Sequence, residues 1–162
     1  MWNTLKIVLA AVVLALGFWL PAMAGAMEDA ETAWNRQDYA TAERLYRPLA
    51  EQGRAGAQHA LGKMYENGEG VQRDFIEAAR WYRLAAEQGH TGAQFYLGGM
   101  YYAGEGVARD YVQAFVWFSL SEAGGQGDFA AKSRAKAAEK MTAAQIAEAE
   151  RRVREWKPAK VK

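Results

Sequence analysis

The 162-residue chain contains no cysteine. This excludes a disulfide scaffold, thiol catalysis, cysteine-held metal and a lipid-modified cysteine at the end of a leader. An oxidising compartment stays permitted and is not required. β-Branched residues are sparse beyond the first twenty positions, and alanine, tyrosine and tryptophan dominate the apolar fraction. The chain is therefore poor in strand formers, and helix is the expected element. Net charge is also nearly missing: 20 Lys and Arg against 19 Asp and Glu give +1, which singles out no partner, nucleic acid included.

What is present begins with "MWNTLKIVLAAVVLALGFWLPAMAGA". Lys6, an uncharged run from Ile7 to Leu20, Pro21 and the small triplet Ala22, Met23, Ala24 follow the layout of a secretory signal peptide. Residues 1–24 are read as that leader, with a second triplet allowing a cut after Ala26. The competing reading is an uncleaved anchor, because Ile7 to Ala26 is almost long enough to span a bilayer. In both readings Lys6 favours the cytoplasm, so the remainder is expected to be exported, periplasmic or secreted, touching membrane only if the leader is kept. Charge is unevenly spread: residues 25–130 hold 9 basic against 15 acidic side chains, and 131–162 hold 10 against 4. A basic tail of this kind can meet an anionic surface, or can simply be a solvated helix face.

Displaced by 36 positions, the sequence meets itself. "AQHALGKMYENGEGVQRDFIEAARWYRLAAEQGH" from Ala57 lies over "AQFYLGGMYYAGEGVARDYVQAFVWFSLSEAGGQ" from Ala93, and "DYATAERLYRPLAEQG" from Asp38 matches the second half of the unit. A fixed period of this size marks a helical solenoid whose units bury their apolar faces only against neighbours. Ala57, Leu61, Met64 and Tyr65 form one stripe at helical spacing; Ala78, Trp81, Tyr82 and Ala85 form the next. Asp74 with Glu77, Asp110 with Gln113, and Thr142 with Gln145 fit N-caps with their partners three residues on. Gly53, Gly89 and Gly125 suit left-handed helix ends. Gly68 and Gly70 fit a chain reversal; neither a phosphate loop nor a calcium loop is spelled there. Gly62, inside a helix, predicts close approach of an aromatic side chain from the paired helix.

"LGKMYENGEGVQRDFIEAARWYRLAAEQG" resembles the Sel-one-like repeat (SLR), a relative of the tetratricopeptide repeat. Two full copies, 57–89 and 93–125, and a half copy, 38–53, cover roughly half the chain. The resemblance implies an all-α fold, a right-handed superhelix of antiparallel helix pairs, and an adaptor role with no catalytic residues. The second copy departs where Ser121 and Glu122 replace Ala85 and Ala86, so that unit is expected to meet a different neighbour. The array is placed at 27–126, with 27–53 as its degenerate first unit. Alanine-rich, charged helices at 127–157 suit a polar terminal cap, and 158–162 are expected to fray.

His59 and His90 lie 31 residues apart with no third ligand indicated, so no metal or cofactor is expected. Ser133 to Lys136 spells SxxK, yet the SDN and KTG elements of penicillin-recognising enzymes are absent. By analogy with tetratricopeptide arrays, the first helix of each pair lines the concave face. Glu31, Trp34, His59, Lys63, Glu66, Phe95 and Tyr102 are then the groove candidates, with Gly99 between the last two. The expected function is an exported, monomeric, non-enzymatic adaptor binding a protein or peptide of the cell envelope. The alternative is a binder or hydrolase of cell-wall-derived or β-lactam-like ligands.

Overall fold

The computed structural model describes residues 25–159, and among these every regular element is helical. Helix α1 (25–35) pairs with α2 (Tyr39–Glu51), α3 (Ala55–Asn67) with α4 (Phe75–Glu87), and α5 (Thr91–Ala103) with α6 (Tyr111–Ser121). A π-helical turn over Glu122–Gln126 leads into α7 (Gly127–Ala138) and α8 (Ala143–Glu155). α3 packs on α4 and α5 on α6, and the second helix of each unit packs on the helix that follows it (α2 on α3, α4 on α5, α6 on α7), which gives the serial stacking expected of a solenoid. The signal-peptide reading falls on residues outside those described. No described helix is long and apolar enough to cross a membrane.

The core is divided as the repeat requires. Ala42, Tyr46, Leu49, Ala57, Leu61, Met64 and Trp81 form one buried cluster, and Tyr82, Ala85, Ala93, Leu97, Met100 and Phe115 belong to a second. Small residues at the helix crossings let aromatic side chains lie flat against backbone. A Cβ on Gly62 would fall 2.5 Å from the Tyr82 ring, and one on Gly98 would fall 2.8 Å from Phe118. The glycine that costs helix propensity at 62 is thus offset by an aromatic side chain packed directly on the helix.

Polar contacts recur with the same 36-residue period. Gln58 and Gln94, both buried, donate from Nε2 to the carbonyls of Ala50 and Ala86, 3.1 and 3.2 Å away. Arg47 and Arg83 donate to the hydroxyls of Tyr65 and Tyr101 at 2.9 and 2.7 Å. Each bond ties the second helix of one unit to the first helix of the next, so stacking register is fixed by directional contacts as well as by apolar burial.

The expected caps are present with one correction. Asp74 accepts from the backbone N–H of Ile76 and Glu77, and Asp110 does the same for Val112 and Gln113. The reciprocal half of the box does not form at either place. The N–H groups of Asp74 and Asp110 are already spent on the carbonyls of Tyr65 and Tyr101, and Glu77 turns outward to Arg80. Only Thr142 and Gln145, whose loop has no such carbonyl beside it, close the full box. Gly53, Gly89 and Gly125 have positive φ as expected.

The break in the second copy has a clear cause. Ser121, fully buried, donates to the Thr91 carbonyl at 2.9 Å, and a Cβ on Gly124 would strike Thr91 Cγ2. The backbone widens into the π turn there, Glu122 pairs with Arg134 at 2.8 Å, and α6 packs on both α7 and α8. The expectation that the chain frays from 158 needs correction for its first residues. The N–H of Ala159 donates to the Glu87 carbonyl at 2.7 Å, and Trp156 and Pro158 lie against Gly89. An orphan carbonyl at the end of α4 therefore holds this stretch; the last three residues lie outside those described.

Candidate functional site

Helices α1, α3, α5 and α7 are neighbours in one layer, and the side chains between them decide whether each junction is open or filled. Between α1 and α3 lies a recess of about 230 Å³ lined by Glu31, Trp34, Tyr46, His59, Ala60 and Lys63, together with Met27, Gly56 and His90. Trp34 stands edge-on to Tyr39 and Tyr46, at 5.4 and 6.5 Å between ring centroids. The Lys63 ammonium sits 5.1 Å over the indole, a cation–π contact that holds the charge at the recess. Burial, with the nearby Glu31 carboxylate, pushes the Tyr46 hydroxyl up to about 12, so it stays a neutral donor.

The next junction, between α3 and α5, is filled. Tyr96 occupies the position that Ala60 holds one repeat earlier, and its ring stacks on Tyr82 at 5.2 Å. His59 fits against both, 5.8 Å from Tyr82 and 5.6 Å from Tyr96, and stacks on His90 at 4.5 Å. The His90 Nδ1 accepts the N–H of Ala93 at 3.1 Å and so caps α5. The His59 Nε2 is buried with no partner. Burial, then His90 and Lys63, holds the His59 imidazole down to about 4, and burial also lowers His90. Both rings are neutral near pH 7.

The third junction opens again. Phe95, Gly99 and Tyr102 from α5, Phe118 from α6, and Ser133 and Lys136 from α7 line a second recess of about 230 Å³. Phe95 tilts onto Phe118 at 5.6 Å and Tyr102 stands edge-on to Tyr111 at 5.4 Å. Nothing lies within 4 Å of where a Cβ on Gly99 would point.

The seven groove candidates are therefore not one continuous set. Glu31, Trp34, His59 and Lys63 meet at the first recess and Phe95 and Tyr102 at the second. Glu66 joins neither recess; its carboxylate accepts the hydroxyl of Tyr82. That bond, with burial as the larger cause, raises the Tyr82 hydroxyl far above its ordinary range. The pairing of His59 with His90 was not foreseen, because the two sit in different units and no repeat position links them. Its one sequence signal was the replacement of Ala60 by Tyr96 at the equivalent position of the next unit, which closes the gap around them. Among the described residues no three His, Asp or Glu side chains converge as a metal site would need.

Ser133 and Lys136 do share the second recess, and no hydrogen bond joins them among the described residues. A larger recess of about 330 Å³ at the far end is lined by Phe115, Glu122, Arg134, Glu150 and Arg154. Its charges are already matched, Arg134 with Glu122 at 2.8 Å and Arg154 with Glu150 at 4.0 Å. The two aromatic recesses instead set aromatic side chains beside Lys63 and Lys136, which form no ion pair among the described residues.

The Sel1 repeat family model matches residues 36–53, 55–90 and 91–126, more than half of the chain. Among solved structures, one similar chain is a protective antigen present in uropathogenic Escherichia coli strains and displaying an SLR fold. It is 34% identical with a TM-score of 0.78, over 83% of this chain and 29% of that one. A Sel1 repeat protein from Oxalobacter formigenes is also 34% identical, with a TM-score of 0.63, over 70% of this chain and 88% of that one. This chain thus spans less than a third of the length of the first. No curated protein matches.

Proposed function

We propose, since the chain belongs to the Sel1-repeat family, whose members generally mediate protein–protein interactions, that it is an exported adaptor which holds a protein or peptide of the cell envelope against the α1–α3–α5–α7 layer. The observation that carries this reading is the first recess. Trp34, Tyr46 and Lys63 converge there around open volume, although neighbouring sequence shows that the junction can be filled by a single tyrosine. Trp34, only partly buried and set between the buried Tyr46 and a fixed charge, is the kind of group interface anchors use. The leader-like start supports export.

Ala60→Tyr provides the test, because it copies Tyr96 into the equivalent place and should close the recess without cost to folding. Full-length protein is expressed in envelope-bearing cells and recovered from the periplasmic fraction with whatever it binds. Ala60→Tyr and Trp34→Ala should each reduce partner recovery about tenfold, the loss of one anchor residue, with melting temperature nearly unchanged for Ala60→Tyr. Equal recovery by all versions would discard the recess as the binding surface. The mass of the recovered protein reads the leader directly: loss of the first 24 or 26 residues supports cleavage, and a full-length mass in the membrane fraction supports an anchor.

A further inference from the structure

We propose that the second recess, between α5 and α7, docks an acidic peptide segment of a partner protein that inserts one aromatic or leucine-sized side chain between Phe95 and Tyr102. This rests on the interaction reading above and names the chemistry of a partner at a different place on the same layer. Three observations lead to it.

The first is size. At about 230 Å³ the recess is smaller than the roughly 300–1,000 Å³ of small-molecule sites, and suits a single side chain. Its aromatic walls are fixed, Phe95 by Phe118 and Tyr102 by Tyr111, so little ordering is needed on binding.

The second is charge. Phe129, Lys132 and Lys136 are exposed on α7, and at 100° per residue they fall within one stripe about 60° wide; Lys140, also exposed, follows in the turn just beyond the helix. None of these lysines makes an ion pair with another described residue, whereas the arginines of this end are engaged with glutamates. Glu139 at the stripe's edge is the acidic group nearest to it in helical register and leaves the balance positive. The third is continuity: Lys136 belongs to both the stripe and the recess, and Phe129, 76% exposed, extends the apolar contact along the same helix face. An acidic segment lying along α7 would neutralise the lysines while its apolar side chain entered beside Gly99. Opposite charge here would set register and speed encounter, and the buried side chain would supply the holding contact.

Gly99→Leu is the informative variant. The Cβ has open space, leucine favours helix, and the side chain would occupy the recess, so folding should be preserved while binding is blocked. Displayed random heptapeptides are selected on the full chain, on Gly99→Leu and on Lys132→Gln/Lys136→Gln/Lys140→Gln, with circular dichroism confirming each fold. Selection on the wild type should enrich peptides rich in Asp and Glu that carry one aromatic or leucine. Recovery of those peptides should fall about tenfold on either variant. Enrichment without acidic bias, undiminished recovery on Gly99→Leu, or no enrichment at all would overturn the proposal. So would salt-sensitive binding to phosphatidylglycerol vesicles without peptide selection, which would assign the stripe to a lipid surface. None of these outcomes bears on Ala60→Tyr at the first recess, so failure here leaves the general reading to its own test.

Discussion

Gly106→Ala is expected to destabilise the protein by about 3 kcal/mol, combining a left-handed backbone cost of about 1–2 kcal/mol with an overpacking cost of about 1–3. Gly106 has φ of 67°, and a Cβ placed there would lie 2.0 Å from the carbonyl oxygen of Phe75 and 2.9 Å from the N–H nitrogen of Ile76. The neighbour is backbone at the start of α4, with no flexible side chain that could swing away. The reversal between α5 and α6 therefore rests directly on the helix of the preceding unit, and Gly70 meets Tyr39 of α2 in the same way at 2.5 Å. A methyl group at 106 pushes whole repeats apart. Urea unfolding should show the lowered midpoint; a loss below about 0.5 kcal/mol, as for an ordinary surface substitution, would show that the units are not in direct register there. The same contact explains the second glycine of the recurring "GEG", which lets each turn sit on the start of the preceding unit's second helix; the first, Gly68 or Gly104, is the left-handed cap of its own helix.

Acid should destabilise the protein through the stacked histidines. His59 is held down to about 4 against an ordinary 6.5. Between these values the unfolded chain binds a proton there that the folded chain refuses, so stability is fully present above about pH 6.5 and falls as pH falls towards 4. The lowered His90 shifts in the same direction, and its protonated Nδ1 would no longer accept the Ala93 N–H that caps α5. The groups facing the pair do not compensate. Lys63 opposes protonation, Tyr82 and Tyr96 are apolar walls on this side, and Glu31, across the recess, is no contributor to the shift.

A shift of this size for His59 corresponds to at most about 3 kcal/mol, or roughly 10 °C in melting temperature. His59→Phe with His90→Asn keeps a ring at 59, as Phe95 does one repeat later, and keeps a capping acceptor at 90 without a titrating group in this range. The difference in melting temperature between pH 7.0 and 4.5 should be roughly 10 °C larger for the wild type than for that variant. An identical acid response would assign the effect to carboxylates elsewhere.

The fold was legible because the same residues recur at the same places. Gly62 predicted the approach of Tyr82, and the glycines of the turns predicted positive φ, since a backbone requirement leaves its mark at one position and repeats with the unit. The buried Gln58 and Gln94 were equally visible as an identical pair 36 apart, but spacing alone does not show that their amides reach the carbonyls of the preceding unit, Ala50 and Ala86. Contacts that break the period were hidden. Asp74 loses the reciprocal half of its cap because the Tyr65 carbonyl arrives through the tertiary fold, and Ala159 is tied to the end of a helix 72 positions away.

The groove was legible by face and not by depth. Helical spacing placed Trp34, His59, Lys63, Phe95 and Tyr102 on first helices. Whether a position lines a cavity depends on the facing side chain in the next unit, and Ala60 against Tyr96 decides that locally. Glu66 shows the same limit: its spacing put it with Lys63, and Tyr82 from the paired helix claims its carboxylate.

In the proposed arrangement the layer of first helices is the recognition surface while the second helices build the stack. A photo-crosslinking residue placed at Lys63 and at Gly99, on the proposed surface, and at Arg80, exposed on α4, tests it in living cells of the protein's own host. Recognition by that layer should give discrete, saturable adducts with another protein from positions 63 or 99 and none from 80. Adducts from 80 alone, or equal labelling at all three positions, would contradict it.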